Sequence, residues 1–157
     1  MPKKRAKVSR NPVLSIAGFC LKALDGVDNN MSGITFLDHY TAAVAGDRGP
    51  EDKVLISLWA LFAFKSRTFA PGELTGNHSL KLLLRSPKRK ISTVGELPLG
   101  PVPETATGFN VRVKLNIKVK TPGLWWMHVL LDGRRYAKMP LRITFRPVSG
   151  APVQDQE

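Results

Sequence analysis

The sequence predicts an all-β domain, a single antiparallel β-sandwich of about seven or eight strands. Three observations predict it. Residues 111–120 read VRVKLNIKVK, in which Val111, Val113, Leu115, Ile117 and Val119 alternate with Arg112, Lys114, Asn116, Lys118 and Lys120. Strict period two puts one face in a core and the other in water, because successive strand side chains point to opposite sides. Asp132-Gly133, between VLL and RRY, is the dipeptide that favours a type I′ hairpin turn. The remaining apolar runs are short and broken by Gly, Pro, Asn and Asp clusters, with no sustained 3.6-residue periodicity.

In chain order the expected strands are Val13 to Leu24, Gly33 to Ala43, Val54 to Phe64, Ser79 to Arg85, Ile91 to Glu96, Phe109 to Lys120, Leu124 to Leu131 and Arg134 to Phe145. DGVDNNMSG and AGDRGPED supply turn-rich connections. VLISLWALFAF (Val54 to Phe64) is apolar on both faces and reads as a central strand covered on both sides. Pro98 to Gly108 holds three prolines and reads as a surface loop, because proline donates nothing to a ladder. Residues 1–11 form an expected flexible basic arm, 12–147 the sandwich and 148–157 a flexible tail.

The balance of 24 Lys+Arg against 12 Asp+Glu gives a net charge of +12. Lys3, Lys4, Arg5, Lys7 and Arg10 crowd the first ten positions. Such a field concentrates anionic partners without choosing among nucleic acid, acidic protein and anionic membrane, and its plainest use is solubility. PKKRAKV reads as a basic arm in a bacterial chain and as a nuclear import stretch in a eukaryotic one. Cys20 is the sole cysteine, so no internal disulfide forms, and the expected setting is the cytoplasm. Val13 to Leu24 is broken by Ser15, Gly18 and Lys22, so neither a transmembrane segment nor an export signal is expected.

With Thr121-Pro122-Gly123 read as a second tight turn, residues 109–145 become a three-stranded meander. Turn parity then sends Leu124, Trp126, His128 and Leu130 inward with Val113, Leu115, Ile117, Val119, Met139 and Leu141. The opposite face collects Arg112, Lys114, Lys118, Trp125, Met127, Arg134, Tyr136 and Lys138, beside Asn116, Val129 and Leu131. Cations for phosphate and rings for bases are the ingredients of single-stranded nucleic-acid platforms. The competing reading is that a protein partner or a second copy covers the apolar members. Arg85, Lys88, Arg89 and Lys90 form a further basic cluster at a hairpin tip, where solvated charge is the ordinary reading.

Catalysis finds little support. No G-x-S-x-G elbow, P-loop or dinucleotide glycine pattern is present. His39, His78 and His128 sit on separate expected elements without ligand spacing, so no metal or other cofactor and no small-molecule substrate is inferred. Asp38 and His39 are neighbours, but adjacent strand residues face opposite sides. Cys20 reads as a small core residue and His128 as a hydrogen-bonded core histidine.

The segments GITFLDHY (Gly33 to Tyr40), VLISLWALF, SLKLLLRSP and PGLWWMHVLLDGRRYAKMPLRI (Pro122 to Ile143) together resemble an uncharacterised family of small bacterial β-sandwich proteins. The last is similar to the closing hairpin of immunoglobulin-like and C2-like sandwiches, with a glycine turn, an aromatic strand, a D-G turn and an exit strand. The resemblance implies that fold and a bacterial cytosolic setting, and it transfers no functional residue. The expected function is a non-catalytic binding or assembly module with a protein partner or a second copy. The alternative is a nucleic-acid-binding protein using the basic and aromatic face plus the basic arm.

Overall fold

The computed structural model describes residues 11–25 and 31–148. The basic arm (Lys3, Lys4, Arg5, Lys7, Arg10) and the end of the tail lie outside the described residues. The described chain is all-β, with nine strands where seven or eight were expected. They are β1 (Val13–Asp25), β2 (Met31–Leu37), β3 (His39–Ala45), β4 (Val54–Lys65), β5 (Gly76–Arg85), β6 (Ile91–Val102), β7 (Gly108–Val119), β8 (Gly123–Leu131) and β9 (Arg134–Val148).

They form a four-stranded sheet, β2-β1-β4-β7, and a five-stranded sheet, β3-β9-β8-β5-β6. One of the two curls into a half-barrel. The core between them is built from Phe19, Ile56, Leu58, Phe62 and Phe64, from Leu80, Leu82 and Leu84, from the odd residues of β7, and from β8 and β9. The extra strand arises because the expected segment Gly33 to Ala43 breaks at Asp38. β2 pairs with β1, whereas β3 runs parallel to β9 in the other sheet.

β4 is central as expected, but it is covered on both faces only from Ala60 to Phe64, since Leu55 and Ser57 are exposed on its outer side. Its even residues Ile56, Leu58, Phe62 and Phe64 enter the main core, while Leu61 joins Cys20, Ala23 and Trp59 in a small second cluster outside it. Cys20 is therefore buried, but away from the main core. Phe36 lies across Gly18 and Gly33 at this cluster, so near that a Cβ on Gly33 would stand 2.8 Å from both Phe36 and Leu61.

The expected meander does not form. β7 is hydrogen-bonded to β4 and β8 to β5 and β9, so Thr121-Pro122-Gly123 carries the chain across from one sheet to the other. Gly123 has φ +134°, and a Cβ there would meet Pro87 at 2.9 Å, so glycine is needed for this crossing to tuck under the β5–β6 tip. Asp132 and Gly133 take φ of 51° and 77°, the double positive φ of a type I′ turn. The Asp132 side chain anchors this turn to β5: Oδ1 accepts the Ser79 amide at 2.8 Å and Oδ2 contacts His78 Nδ1 at 2.7 Å.

A bulge follows the turn. Leu130 faces Arg135, but Val129 faces Ala137, leaving Tyr136 as the extra residue. The bulge and the crossing together invert the expected parity of β8. Trp125, Met127, Val129 and Leu131 are buried, and Trp126, His128 and Leu130 lie on the outer face. The physical reason is that β8 is apolar on both sides, so a one-residue slip costs little in pattern. The structure buries the four-residue set that contains no polar side chain, worth roughly 1.5–3 kcal/mol per fully buried large side chain.

The expected loop from Pro98 to Gly108 is corrected as well. β6 continues through Pro98 to Val102, and its prolines are tolerated because β6 is an edge strand with one side unpaired.

Candidate binding surfaces on the two sheets

The eight residues expected to share one face are divided among the core and both sides of the sandwich. Arg112, Lys114 and Lys118 project from the outer face of the four-stranded sheet. Trp125 and Met127 are buried in the core, and Trp125 Nε1 donates to the Thr121 carbonyl at 3.3 Å. Tyr136 is half-buried at the core edge, its ring edge-on to Phe64 at 5.6 Å, with Arg134 at 6.0 Å over it. Burial raises the Tyr136 phenol's pKa, a push that Asp132 reinforces and the Arg134 and Arg67 charges oppose. Only Lys138 reaches the outer face of the five-stranded sheet.

That outer face is a basic and aromatic surface made largely of other residues. Across it Arg85, Trp126 and Pro140 form one row, Leu83, His128 and Lys138 a second, and Lys81, Leu130 and Arg135 a third. Directly opposed residues on neighbouring strands share a face, so these nine side chains are one patch. Lys138 Nζ stands 4.2 Å from the Trp126 ring centroid, a cation–π contact between diagonal neighbours. Glu96 supplies a carboxylate at the border, 3.6 Å from Lys81. The Arg85, Lys88, Arg89 and Lys90 cluster sits at the β5–β6 tip as expected, in a turn closed by Ser86 N donating to the Lys90 carbonyl at 2.8 Å. Because Arg85 belongs to both, charge runs without a gap from the tip onto the sheet.

His128 reports the field of this patch. Burial lowers its pKa, and the charges of Arg135, Lys138 and Arg85 lower it further. Its Nε2 is closed off from solvent and has no hydrogen-bond partner, so the expected hydrogen-bonded core histidine is instead a half-buried outer one. His78 is the opposite case. Burial pulls its pKa down, but the hydrogen bond and charge of Asp132 and the Leu74 carbonyl at 2.8 Å from Nε2 prevail, and the net shift is upward.

The four-stranded sheet's outer face is mixed in a different way. Lys114 lies opposite Trp59, Arg112 opposite Leu61 and Lys118 opposite Leu55, while Ser57 Oγ donates to Asn116 Oδ1 at 2.7 Å. Phe36 and Leu55 are exposed there at 58% and 59%.

Sequence reasoning missed Trp126, Arg135 and Arg142 as surface groups. The signal was in β9, where Lys138, Pro140 and Arg142 alternate with Met139, Leu141 and Ile143. Matching that alternation to an all-apolar inner set on β8 requires a bulge.

The fold and surface define a two-sheet all-β domain of basic character. No protein-family model matches the chain, and no curated protein does. Among solved structures it is similar to the alkylpurine DNA glycosylase AlkC of Pseudomonas fluorescens bound to DNA with an abasic site analog. That match has 14% identity, 66% of this chain, 27% of that chain and a TM-score of 0.41. A β-glucosidase from Listeria innocua in complex with gluconolactone matches at 11% identity over 84% of this chain and 17% of that chain, with a TM-score of 0.50. The same enzyme with isofagomine gives 12%, 85%, 17% and 0.48. This chain thus spans 27% of the glycosylase and 17% of the glucosidase, and the glucosidase likeness concerns the fold alone.

Proposed function

We propose that this protein is a non-catalytic, immunoglobulin-like binding module whose contact surface is the outer face of the five-stranded sheet and whose partner is an acidic protein. The immunoglobulin-like reading is supported by strand distribution. β4 and β7 lie in one sheet and β5, β8 and β9 in the other, as strands B and E are separated from C, F and G in such sandwiches. The observation that carries the function is the patch around Trp126: Arg85, Arg135 and Lys138 surround half-buried Leu83, Trp126, His128 and Leu130 on a rigid sheet. Such a surface pairs a desolvated apolar centre with a charged rim. The non-catalytic reading is supported by Cys20 being sealed in the second cluster and by His78 using both ring nitrogens on structural contacts.

Lys138 over the Trp126 ring favours a protein partner over nucleic acid, because a base would have to displace it to stack. The nucleic-acid reading is favoured by the continuity of charge from Lys88, Arg89 and Lys90 onto the sheet. Titration with polyglutamate and with a labelled single-stranded oligonucleotide, each at low and physiological salt, separates the two. Polyglutamate binding that the R85E/K138E pair removes is expected. Affinity unchanged in that variant would sink the proposal. Tight oligonucleotide binding with a steep linear log–log salt dependence would transfer the surface to the nucleic-acid reading.

A further inference from the structure

We propose that β7 is a docking edge for an extended acidic segment of a partner protein, which adds to the four-stranded sheet as a fifth strand. This surface lies on the other sheet from the Trp126 patch, so either proposal can fail alone. A strand at a sheet edge carries one row of backbone N–H and C=O groups without ladder partners, a template for another strand. The described sheets have four edges, β2, β7, β3 and β6.

The other three are shorter or less regular than β7. β2 and β3 are seven residues each, and Thr35 in β2 has φ 56°. β6 carries Pro98 and Pro101 and pairs with β5 through two register shifts. β7 has none of these devices. Its 12 residues pair with β4 at every position without a shift, contain no proline and alternate regularly between buried and exposed. A long, straight and regular edge is the kind that accepts a strand.

What β7 does have is sign. Arg112, Lys114 and Lys118 line its exposed face, and Lys120 just beyond is ion-paired to Glu51. Two copies joined edge to edge about a two-fold would put like charges together in every central register. Centring on Lys114 opposes it to itself, centring on Leu115 opposes Arg112 to Lys118, and centring on Asn116 opposes Lys114 to Lys118. Like charges directly opposed across strands are destabilising, and opposite charges stabilise. The edge is therefore guarded against its own copies and complementary to a strand with Asp or Glu at alternate positions.

The test uses the full chain and a peptide of about twelve residues alternating Glu with Thr, long enough to pair along β7. Its affinity is read by fluorescence anisotropy, and amide hydrogen exchange locates it. Binding is expected with slowed exchange in β7, and replacing Glu by Lys in the peptide should abolish it. The K114E/K118E variant should bind the Glu peptide about tenfold more weakly and acquire affinity for the Lys peptide. In the R85E/K138E background, in which the Trp126 patch no longer attracts acidic chains, the Glu peptide should still slow exchange in β7. An N-methylated peptide, which cannot donate along the ladder, should lose about tenfold or more. Equal binding of the N-methylated and unmodified peptides would show charge attraction without strand addition and overturn the proposal. A concentration-dependent dimer that protects the β7 amides would overturn it in favour of a second copy.

Discussion

Replacing Met127 by alanine discriminates most sharply between the parity that turn spacing implies and the parity the structure has. Met127 is 0% exposed, lies opposite Met139 on one side and Leu84 on the other, and points between the sheets. Truncating such a side chain removes its transfer free energy and leaves a cavity, a loss of about 3 kcal/mol within the usual 2–5 kcal/mol for methionine. With a urea m-value of about 2 kcal/mol/M, the midpoint should fall by about 1.5 M. In heat the same loss lowers Tm by about 6–12 °C for a chain of this length. His128→Ala is the control. Its side chain is half-buried on the outer face and leaves Nε2 without a partner, so its removal should change stability by no more than about 0.5 kcal/mol. Paired urea titrations followed by tryptophan fluorescence give both values. A His128→Ala loss larger than that of Met127→Ala would return β8 to the meander parity and dissolve the Trp126 patch.

Three further outcomes follow from the same geometry. His78 binds its proton more tightly in the fold than in the unfolded chain, so the stability it contributes is complete below the ordinary histidine pKa and is lost as pH rises through its raised value. His128 is reversed, contributing above the ordinary value and losing that contribution as pH falls through its lowered one. NMR titration of the imidazole carbon-bound protons should place the His78 midpoint above that of His128, and the opposite order would refute both assignments. Gly123→Ala should cost about 1–3 kcal/mol in thermal melts, because it puts a Cβ against Pro87 at an unfavourable φ, whereas a neutral result would mean the crossing is laxer than described. Asp132→Asn should bring the His78 midpoint down by removing the facing charge, and an unmoved midpoint would show that the Leu74 carbonyl alone holds the proton.

How far the sequence could be read follows from how asymmetric each strand is. β7 was legible because its two faces differ in charge as well as in polarity, so a one-residue slip would bury lysine. The Asp132-Gly133 turn was legible because few dipeptides accept two successive residues at positive φ. β4 announced its central place by carrying apolar residues on both faces. β8 concealed its orientation because both sides are apolar, and the bulge at Tyr136 has no local residue signature. Thr121-Pro122-Gly123 states that the chain turns there but not whether it stays within a sheet. That choice rests on contacts with Pro87, distant in sequence. The basic tip from Arg85 to Lys90 was placed correctly, while the neighbouring patch followed β8 and was misassigned with it.

The parallel pairing of β3 with β9 sets a timetable for synthesis. His39 meets Arg142 and Ala45 meets Val148, so β3 joins a strand made 103 residues after it. At about 5–20 residues per second, β3 waits about 5–20 s between its own emergence and that of its partner. Through that interval the five-stranded sheet has no place for it. β3 suits such a wait, since HYTAAVA holds small side chains and one tyrosine in place of a long apolar run. A strand made late is thus the one that seats an early strand, and a nascent chain stopped before β9 would hold β3 without its partner.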